Sequence, residues 1–421
     1  MRIALLESSF KNQLGFKFYP MGLGYLASYI RKHISGIEIR VCENLEQVMN
    51  YKPDMVGLSV LSSNFPAAEK DCEKIKRELN VPVVLGGAHV SSIPEILPGC
   101  FNAGVVGEGE VTFLEIVKLF ERQRKLKNHD LLQIDGVVLN IEGKIHLAPR
   151  RVLIEDLDNL PYPARDWGVD DHCNWTFTGR GCPYNCAFCF SSLFWDRYRV
   201  NSAEYVVGEL EELKKYRSIK EHAFWDDLFT VNVKRVRDIS SLLNKRIGEK
   251  ISFTVAARSN LVDVELARAF VELGVEYVHL GLESGSDRVL NFLKVDDCSV
   301  ETNQKAIDIL SSFGIKAIGT FIIGSPTETG EDLEKTYQFI NRNLKNGKLF
   351  AFCFGPLSPF PGTAIWNYAV SRGIIKPDEF DWTSLNIDIS NFNRENYKIL
   401  SDTSPEKFYY YFEKLNEIMQ F

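Results

Sequence analysis

Short apolar runs alternate with amphipathic helical patterns along most of this 421-residue chain. This alternation restricts the fold more than any other feature, because strands that take turns with helices form parallel sheets. In the first third of the chain the strand candidates are 2–7, 37–42, 54–60, 81–85 and 103–106, and the helix candidates are 65–79 and 110–121. We therefore predict a doubly wound, Rossmann-like α/β domain over residues 1–130.

A connecting segment follows the first domain. Residues 133–148 have a hairpin pattern with Glu142-Gly143 at the turn. Pro161 and Pro163 then interrupt any helix, so an extended chain is predicted to enter the second half of the protein. We interpret residues 131–170 as a linker.

Three cysteines stand close together in the run Arg180-Gly181-Cys182-Pro183-Tyr184-Asn185-Cys186-Ala187-Phe188-Cys189. Their spacing lets one loop present three thiolates to one iron–sulfur cluster. With three local ligands, one iron of a [4Fe–4S] cluster stays open and can chelate a small molecule. Zinc would need a fourth ligand, and nothing nearby supplies an obvious one. A disulfide with a spare thiol is less favoured, because the chain has nine Cys and no secretory signature.

The Cys-x3-Cys-x2-Cys spacing, with Phe188 before the last cysteine, resembles the motif of the radical S-adenosylmethionine (SAM) enzymes. The resemblance implies that Cys182, Cys186 and Cys189 hold a [4Fe–4S] cluster and that SAM binds its open iron. It also implies that Phe188 contacts the adenine of SAM.

The second half of the chain repeats the strand and helix rhythm. Its strand candidates are 174–178, 222–225, 252–257, 277–282, 317–323 and 350–356. These six units resemble the partial (β/α)6 barrel of radical SAM domains, which we place at residues 171–365. Residues 356–363 either shape the substrate cavity or form a rigid turn. The remaining segment, 366–421, is predicted to be small and helical, with its aromatic run 408–412 packed on the barrel or serving as a substrate lid.

Polar and glycine-containing clusters at the barrel strand ends supply the other SAM candidates, since barrel chemistry collects there. The predicted SAM-binding residues are Asp226, Asp227, Arg258, Glu283, Ser284, Ile323 and Gly324. Arg258 suits the SAM carboxylate, and Glu283 matches the family's ribose motif. The structural alternatives are that the two aspartates cap a turn, that Arg258 forms an internal ion pair, and that Glu283 serves the fold alone.

Serine and glycine residues follow the strands of the first domain. Ser59-Val60-Leu61 and Gly86-Gly87 are similar to two elements of the cobalamin-binding pattern, but residues 11–16 lack the His that would ligate cobalt. This combination resembles the cobalamin-dependent radical SAM enzymes. The resemblance implies that cobalamin contacts Ser59, Leu61, Ser62, Gly86, Gly87, Gly107, Glu108 and Gly109, with 61–64 at the lower face of the corrin. The alternative is a sheet domain without corrin.

Composition narrows the partners and the location. A net charge of −7, from 49 basic and 56 acidic residues, argues against a nucleic-acid partner. No run of 18 apolar residues occurs, so we expect a cytoplasmic protein without membrane insertion. We also expect a monomer.

The family resemblance implies a cobalamin-dependent radical SAM C-methyltransferase. In such an enzyme a 5′-deoxyadenosyl radical removes hydrogen from an unactivated carbon, and that carbon takes a methyl group from methylcobalamin. The expected substrate is a peptide or protein side chain or a small molecule, and the electron donor is external, of flavodoxin or ferredoxin type. The alternatives are cyclisation, ring contraction or rearrangement without methyl transfer, and a noncatalytic redox sensor.

Overall fold

Two large sheets organise the protein. The structure, a computed structural model, describes residues 1–8, 20–165, 174–294, 298–385, 392, 394–395 and 397–419. Within these ranges one sheet has seven strands, a second has six, and a short ribbon has two.

The first sheet has a parallel core of five strands in the order β2-β1-β3-β4-β5. These strands are β1 (Arg2–Glu7), β2 (Glu38–Cys42), β3 (Met55–Ser59), β4 (Val83–Gly86) and β5 (Ala103–Val105). The helices are α1 (Met21–His33), α2 (Leu45–Tyr51), α3 (Phe65–Leu79), α4 (Ala88–Ser92), α5 (Gly109–Gln123) and α6 (Asn128–Leu131). This order is the flavodoxin-like version of a doubly wound fold, in which ligands bind beyond the carboxyl ends of the strands.

A hairpin extends this sheet. Strands β6 (Val137–Ile141) and β7 (Lys144–Leu147) are antiparallel, and β6 pairs with the edge strand β5. Glu142 and Gly143 form the turn with positive φ angles of 52° and 82°, as the sequence predicted. The hairpin lies inside the segment that we interpreted as a linker, so only the chain after it connects the two sheets.

The second sheet is parallel and open, with the order β8-β11-β12-β13-β14-β15 among the described strands. Its strands are β8 (Trp175–Thr176), β11 (Glu221–Phe224), β12 (Ser252–Arg258), β13 (Val275–Glu283), β14 (Lys316–Ile323) and β15 (Ala351–Pro356), and the ribbon is β9 (Gly179–Arg180) with β10 (Arg199–Val200). The helices are α7 (Ser191–Trp195), α8 (Ala203–Lys214), α9 (Val233–Arg246), α10 (Val264–Leu273), α11 (Asp287–Leu293), α12 (Val300–Ser312), α13 (Gly330–Lys345), α14 (Ala364–Ser371) and α15 (Pro405–Ile418).

Alternation along the barrel strands separates a core face from a cavity face. In β14, alternate residues from Ala317 to Ile323 are buried and pack under the helices, whereas the residues between them are half-buried and face inward. The inward-facing residues therefore line the inside of the open barrel, where sites form at the carboxyl ends of the strands.

One buried apolar cluster contains residues from both units. Val60 and Phe65 of the first unit belong to the same buried cluster as Trp366 and Trp382 from the chain after the barrel strands. The rings of Trp366 and Trp382 stack with centroids 5.6 Å apart. Because each aromatic ring buries a large apolar area, this cluster holds the two units together.

The C-terminal helix α15 completes the barrel. Phe408, Tyr411 and Phe412 are buried in the barrel core, and the Tyr411 hydroxyl donates to Glu334 Oε2 at 2.7 Å. The predicted helical packing of this aromatic run is confirmed. Within the described ranges, every helix is too short or too polar to cross a lipid bilayer.

Candidate functional site

The three cysteines of the 182–189 loop line one cavity of about 360 Å³ at the carboxyl ends of the barrel strands. Gly181 allows the chain to turn out of β9: its φ is +88°, and a Cβ there would lie 2.6 Å from the Arg197 carbonyl oxygen. The Ala187 amide donates to the Leu293 carbonyl at 2.9 Å, which ties the loop to α11. We call this space the cysteine cavity.

A cationic side chain lies next to the thiols. Arg258 Nη1 donates to Cys186 Sγ at 3.3 Å, and its guanidinium lies 3.8 Å from the ring centre of Tyr184. Burial raises the pKa of all three thiols, and that of Cys189 to about 12. Since thiolates are the ligands of iron–sulfur clusters, the Arg258 charge offsets part of the cost of ionising Cys186.

The cavity suits a cluster with several irons. Among the described residues, no three His, Cys, Asp or Glu side chains converge closely enough to bind a single metal ion. Each cysteine of a cubane cluster binds a different iron, so its ligands surround a space instead of a point. Cys182, Cys186 and Cys189 do surround one cavity, and these residues fit a [4Fe–4S] cluster.

Asp226 is engaged by the backbone that leads into the cysteine loop. Its Oδ1 accepts from the amides of Thr178 at 2.5 Å and Gly179 at 3.2 Å, and its Oδ2 accepts from the Thr178 hydroxyl. Burial raises the pKa of Asp226 to about 6. Both oxygens thus hold the backbone before the cysteine loop and not the turn after β11, and Asp226 also lines the cysteine cavity, so its contact with SAM stays a prediction.

Asp227 has a different environment. It is exposed, and its Oδ2 accepts from the Gly181 amide at 3.2 Å. Among the described residues it alone lines both the cysteine cavity and the cavity at the strand ends of the first sheet. Asp227 therefore lies where the two candidate cofactor sites meet.

Glu283 ends β13 at the rim of the cysteine cavity. Its backbone has a positive φ of 56°, and its Oε1 lies 3.1 Å from Lys294 Nζ, which also donates to the Gly281 carbonyl at 2.5 Å. Phe188, Arg258, Glu283 and Asp227 line this cavity together with the cysteines. The fold thus brings these predicted SAM residues together.

Three predicted SAM residues do not reach the cavity wall. The Ser284 hydroxyl lies 3.1 Å from that of Thr336, and Ile323 is buried in the barrel core. A Cβ on Gly324 would lie 2.7 Å from the Tyr397 hydroxyl, so this glycine serves the approach of the C-terminal segment. Their assignment to SAM stays a prediction.

Several cavity residues were missed by the sequence analysis. Trp225, His279, Lys294 and Thr320 line the cysteine cavity, and the rings of Trp225 and His279 lie 5.5 Å apart, edge to face. Burial lowers the pKa of His279, so its imidazole is neutral near pH 7. The alternation along β13 could have identified His279 as a cavity residue, because His279 stands between two buried neighbours and faces the other side of the strand.

A second cavity, of about 300 Å³, lies beyond the carboxyl ends of β1, β3, β4 and β5. Six of the predicted cobalamin residues line this strand-end cavity: Ser59, Gly86, Gly87, Gly107, Glu108 and Gly109. A Cβ on Gly107 would meet nothing within 4 Å, and one on Gly86 only the Leu58 carbonyl at 3.9 Å. The absence of these side chains leaves open space beside the strand ends, which fits a bulky ligand such as cobalamin.

Leu61 and Ser62 line a separate cavity of about 180 Å³, with Phe190 and Phe360 on the opposite wall. Ser62 Oγ lies 3.0 Å from Nδ1 of His89, whose ring packs on Phe65 with centroids 3.9 Å apart. Burial lowers the pKa of His89 to about 3, so this imidazole is neutral. The predicted cobalamin residues therefore line two cavities formed by the loops after β3, β4 and β5.

Glu108 differs from the other predicted cobalamin residues because its carboxylate is already paired. Its Oε1 lies 2.7 Å from Arg180 Nη1 and 3.1 Å from Arg199 Nη1, and its Oε2 accepts from the Ile154 amide at 2.8 Å. These contacts hold the pKa of Glu108 below its usual value despite burial. Glu108 thus lines the cavity while its carboxylate pairs with two arginines of the second unit.

Comparisons with known proteins agree with this geometry. The B12 binding domain model matches residues 10–117, and the Radical SAM superfamily model matches residues 176–340. An uncharacterized methyltransferase of Pyrococcus horikoshii is 36% identical over 398 residues, covering 88% of this chain and 82% of the relative. The chain belongs to the cobalamin-dependent radical SAM enzymes.

Two further comparisons place this cobalamin-dependent radical SAM enzyme among its relatives. An anaerobic magnesium-protoporphyrin IX monomethyl ester cyclase of Rubrivivax gelatinosus is 26% identical over 420 residues, covering 90% of this chain and 74% of the relative. The structure of the methyltransferase TsrM from Kitasatospora setae, with cobalamin and a [4Fe–4S] cluster bound, has a TM-score of 0.72 at 18% identity, covering 88% and 75% of the two chains. At that identity the likeness shows the fold. The predicted family, fold class, enzymatic nature and cofactors are confirmed.

Proposed function

We propose that this enzyme is a C-methyltransferase that acts on an unactivated carbon. The observation that carries the proposal is the meeting of the cysteine cavity and the strand-end cavity at Asp227. When bound, the cluster with SAM supplies hydrogen abstraction and cobalamin supplies the methyl group. A substrate carbon at this junction would be within reach of both chemistries. The relative from Pyrococcus horikoshii, which is named a methyltransferase, supports this outcome.

The chain's own residues provide placement. Cys182, Cys186 and Cys189 would hold the cluster, with Arg258 stabilising the thiolate of Cys186 through its 3.3 Å contact. Glu283, held by Lys294, would accept hydrogen bonds from the ribose of SAM. The glycines of the strand-end cavity would let the backbone approach cobalamin closely.

Residues on the barrel side of the cysteine cavity would recognise the substrate. Trp225 is 44% exposed there and offers an aromatic face, and the neutral His279 imidazole offers one donor and one acceptor. We propose a small molecule or a peptide side chain as the substrate, and an external flavodoxin or ferredoxin as the electron donor. We also propose that residues 1–130 and 171–365 are the two cofactor-binding domains and that the enzyme is a monomer.

The decisive experiment is anaerobic reconstitution with iron, sulfide, SAM and hydroxocobalamin. Methyl transfer is expected to yield S-adenosylhomocysteine together with 5′-deoxyadenosine when a low-potential donor and a candidate substrate are present. Consumption of the substrate with formation of 5′-deoxyadenosine from SAM but no S-adenosylhomocysteine would contradict methyl transfer.

A second candidate is a radical cyclisation or rearrangement that uses the corrin domain without methyl transfer. The specific support is the cyclase of Rubrivivax gelatinosus, which aligns over 90% of this chain. Isotope-labelled SAM distinguishes the two candidates. A product that carries the labelled methyl group supports methylation, and an unlabelled product supports rearrangement.

A further inference from the structure

Arg180 lies at the boundary between the two cofactor-binding units. It is buried, and its Nη1 and Nη2 lie 2.7 Å from Glu108 Oε1 and 2.5 Å from Glu110 Oε1. Tyr25 and Trp195 flank the guanidinium, with ring centres 5.3 Å and 5.2 Å away. Two ion pairs and two aromatic contacts therefore restrain the Arg180 guanidinium.

The residues of this ion-pair group belong to different parts of the fold. Glu108 and Glu110 lie at the start of α5, on the wall of the strand-end cavity, and Arg180 lines the same cavity. Along the chain, however, Arg180 is in β9 and precedes Cys182 by two residues. These ion pairs therefore connect the wall of the strand-end cavity to the start of the cysteine loop, which lines the cysteine cavity.

We propose that Arg180 is a positioning residue that couples occupation of the strand-end cavity by cobalamin to the geometry of the cysteine loop. A ligand that contacts the 107–110 segment restricts the two carboxylates, and the carboxylates restrict Arg180. The β9 strand and the cysteine loop are then held more firmly for the cluster. Because coupling between two sites is reciprocal, a bound cluster also raises the affinity for cobalamin.

Glu110 is the residue on which this coupling can be tested selectively. Glu108 keeps Arg199 and the Ile154 amide as partners when Arg180 is lost. Among the described residues Arg180 is the sole ion-pair partner of Glu110. Replacement of Glu110 by Gln removes one charge, keeps the shape, and leaves Arg180 paired with Glu108. It weakens the link without leaving a buried charge unpaired.

The test measures how fast a ferrous chelator removes iron from the anaerobically reconstituted full-length protein, with and without hydroxocobalamin. In the wild type, hydroxocobalamin is expected to slow iron loss by about fivefold or more, which is the low end of typical coupling between sites. In Glu110→Gln the protection should fall below about twofold at saturating hydroxocobalamin. Glu115→Gln is the matched control on the same helix, because Glu115 pairs with Arg151 instead.

Two further measurements distinguish a positioning role of Arg180 from simple destabilisation of the protein. The dissociation constant of hydroxocobalamin should be lower for the cluster-loaded wild type than for the cluster-free wild type, and this difference should shrink in Glu110→Gln. Methylcobalamin, which is diamagnetic and does not take an electron from the cluster, should also change the electron paramagnetic resonance spectrum of the reduced cluster in the wild type and not in Glu110→Gln. Equal protection in the wild type and Glu110→Gln would overturn the proposal, and so would wild type without protection. These measurements involve no substrate, so they do not depend on whether the reaction is methyl transfer.

Discussion

Lys294 Nζ lies 3.1 Å from Glu283 Oε1 at the rim of the cysteine cavity, and both side chains are buried. The strand β13 ends at Glu283, where its pairing with β14 shifts register. Two buried opposite charges at this position tolerate the loss of one partner poorly, because the other is left without compensation. The pair is therefore both a structural element and part of the polar lining of the cysteine cavity.

Glu283→Ala should weaken SAM binding by at least about tenfold without removing the brown cluster chromophore. The variant loses an acceptor for the ribose and leaves the Lys294 ammonium unpaired. SAM affinity is measured by calorimetry on the reconstituted protein, alongside the visible spectrum. Glu276→Ala is a control at the opposite end of the same strand, and unchanged SAM affinity in Glu283→Ala would remove the ribose assignment.

Cys186→Ala should abolish cluster assembly and SAM cleavage, because two cysteines cannot replace three as ligands of the cluster. Hydroxocobalamin in excess should still bind stoichiometrically through the strand-end cavity. Iron content and cobalt content of the purified protein are measured together. Cys298→Ala, a buried cysteine outside the motif, should retain both metals. Loss of both metals from Cys186→Ala would contradict two separable binding units.

Arg258→Met should make the cluster harder to reduce. Its guanidinium donates to Cys186 Sγ at 3.3 Å, and a positive charge beside a cluster ligand favours the more negative, reduced state. Redox titration followed by paramagnetic resonance should show a potential that is lower by tens of millivolts, as an order of magnitude. Arg258→Lys keeps the charge and should restore part of the shift. A raised potential in the Met variant would be the opposite of what the contact implies.

His279→Ala should lower kcat/KM for the true substrate by about tenfold, which corresponds to the loss of one hydrogen bond. Cleavage of SAM without substrate should continue at the wild-type rate, since His279 is assigned to the substrate side. Product and 5′-deoxyadenosine are quantified in the same reaction. If both fall together, His279 serves SAM or the cluster and the substrate assignment is wrong.

Glu328→Gln should flatten the pH dependence of stability between about pH 5 and pH 8. Burial raises the pKa of Glu328 to about 8, so the folded state holds this proton more tightly than the unfolded state does. The stabilising contribution is complete below the unfolded pKa and is lost as pH rises through the folded one. Thermal unfolding midpoints across this range should decline less in Glu328→Gln than in the wild type. Glu331→Gln, at an exposed position on α13, should follow the wild type.

Local patterns predicted most of the architecture. The helix α3 begins and ends where its periodicity predicted, and the barrel strands agree to within two residues at either end. These elements are recognisable because their apolar positions repeat with the period of a helix or a strand. The hairpin also formed at its predicted turn, but its pairing with β5 was not predicted. That pairing depends on which sheet edge is free, and no local pattern records this.

The site residues likewise divide into those that the sequence predicted and those whose contacts depend on the folded chain. The cysteine spacing predicted that Cys182, Cys186 and Cys189 act together, and the structure places all three on one cavity because they lie on one loop. Glu108 was predicted to contact cobalamin, but its carboxylate pairs with Arg180 and Arg199, which are far away in the sequence. Pairing between distant charges is invisible until the chain is folded.

The amino-acid sequence by itself determined the two α/β units, the grouping of three cysteines on one loop and the family, since each rests on spacing within a short stretch of chain. The tertiary structure alone decided that Asp226 holds the loop's backbone while Asp227 faces two cavities. It also decided that Arg180 is locked by carboxylates from the other unit. Neighbouring residues with the same chemistry acquire different roles because burial and distant partners, which only folding creates, determine what each side chain contacts.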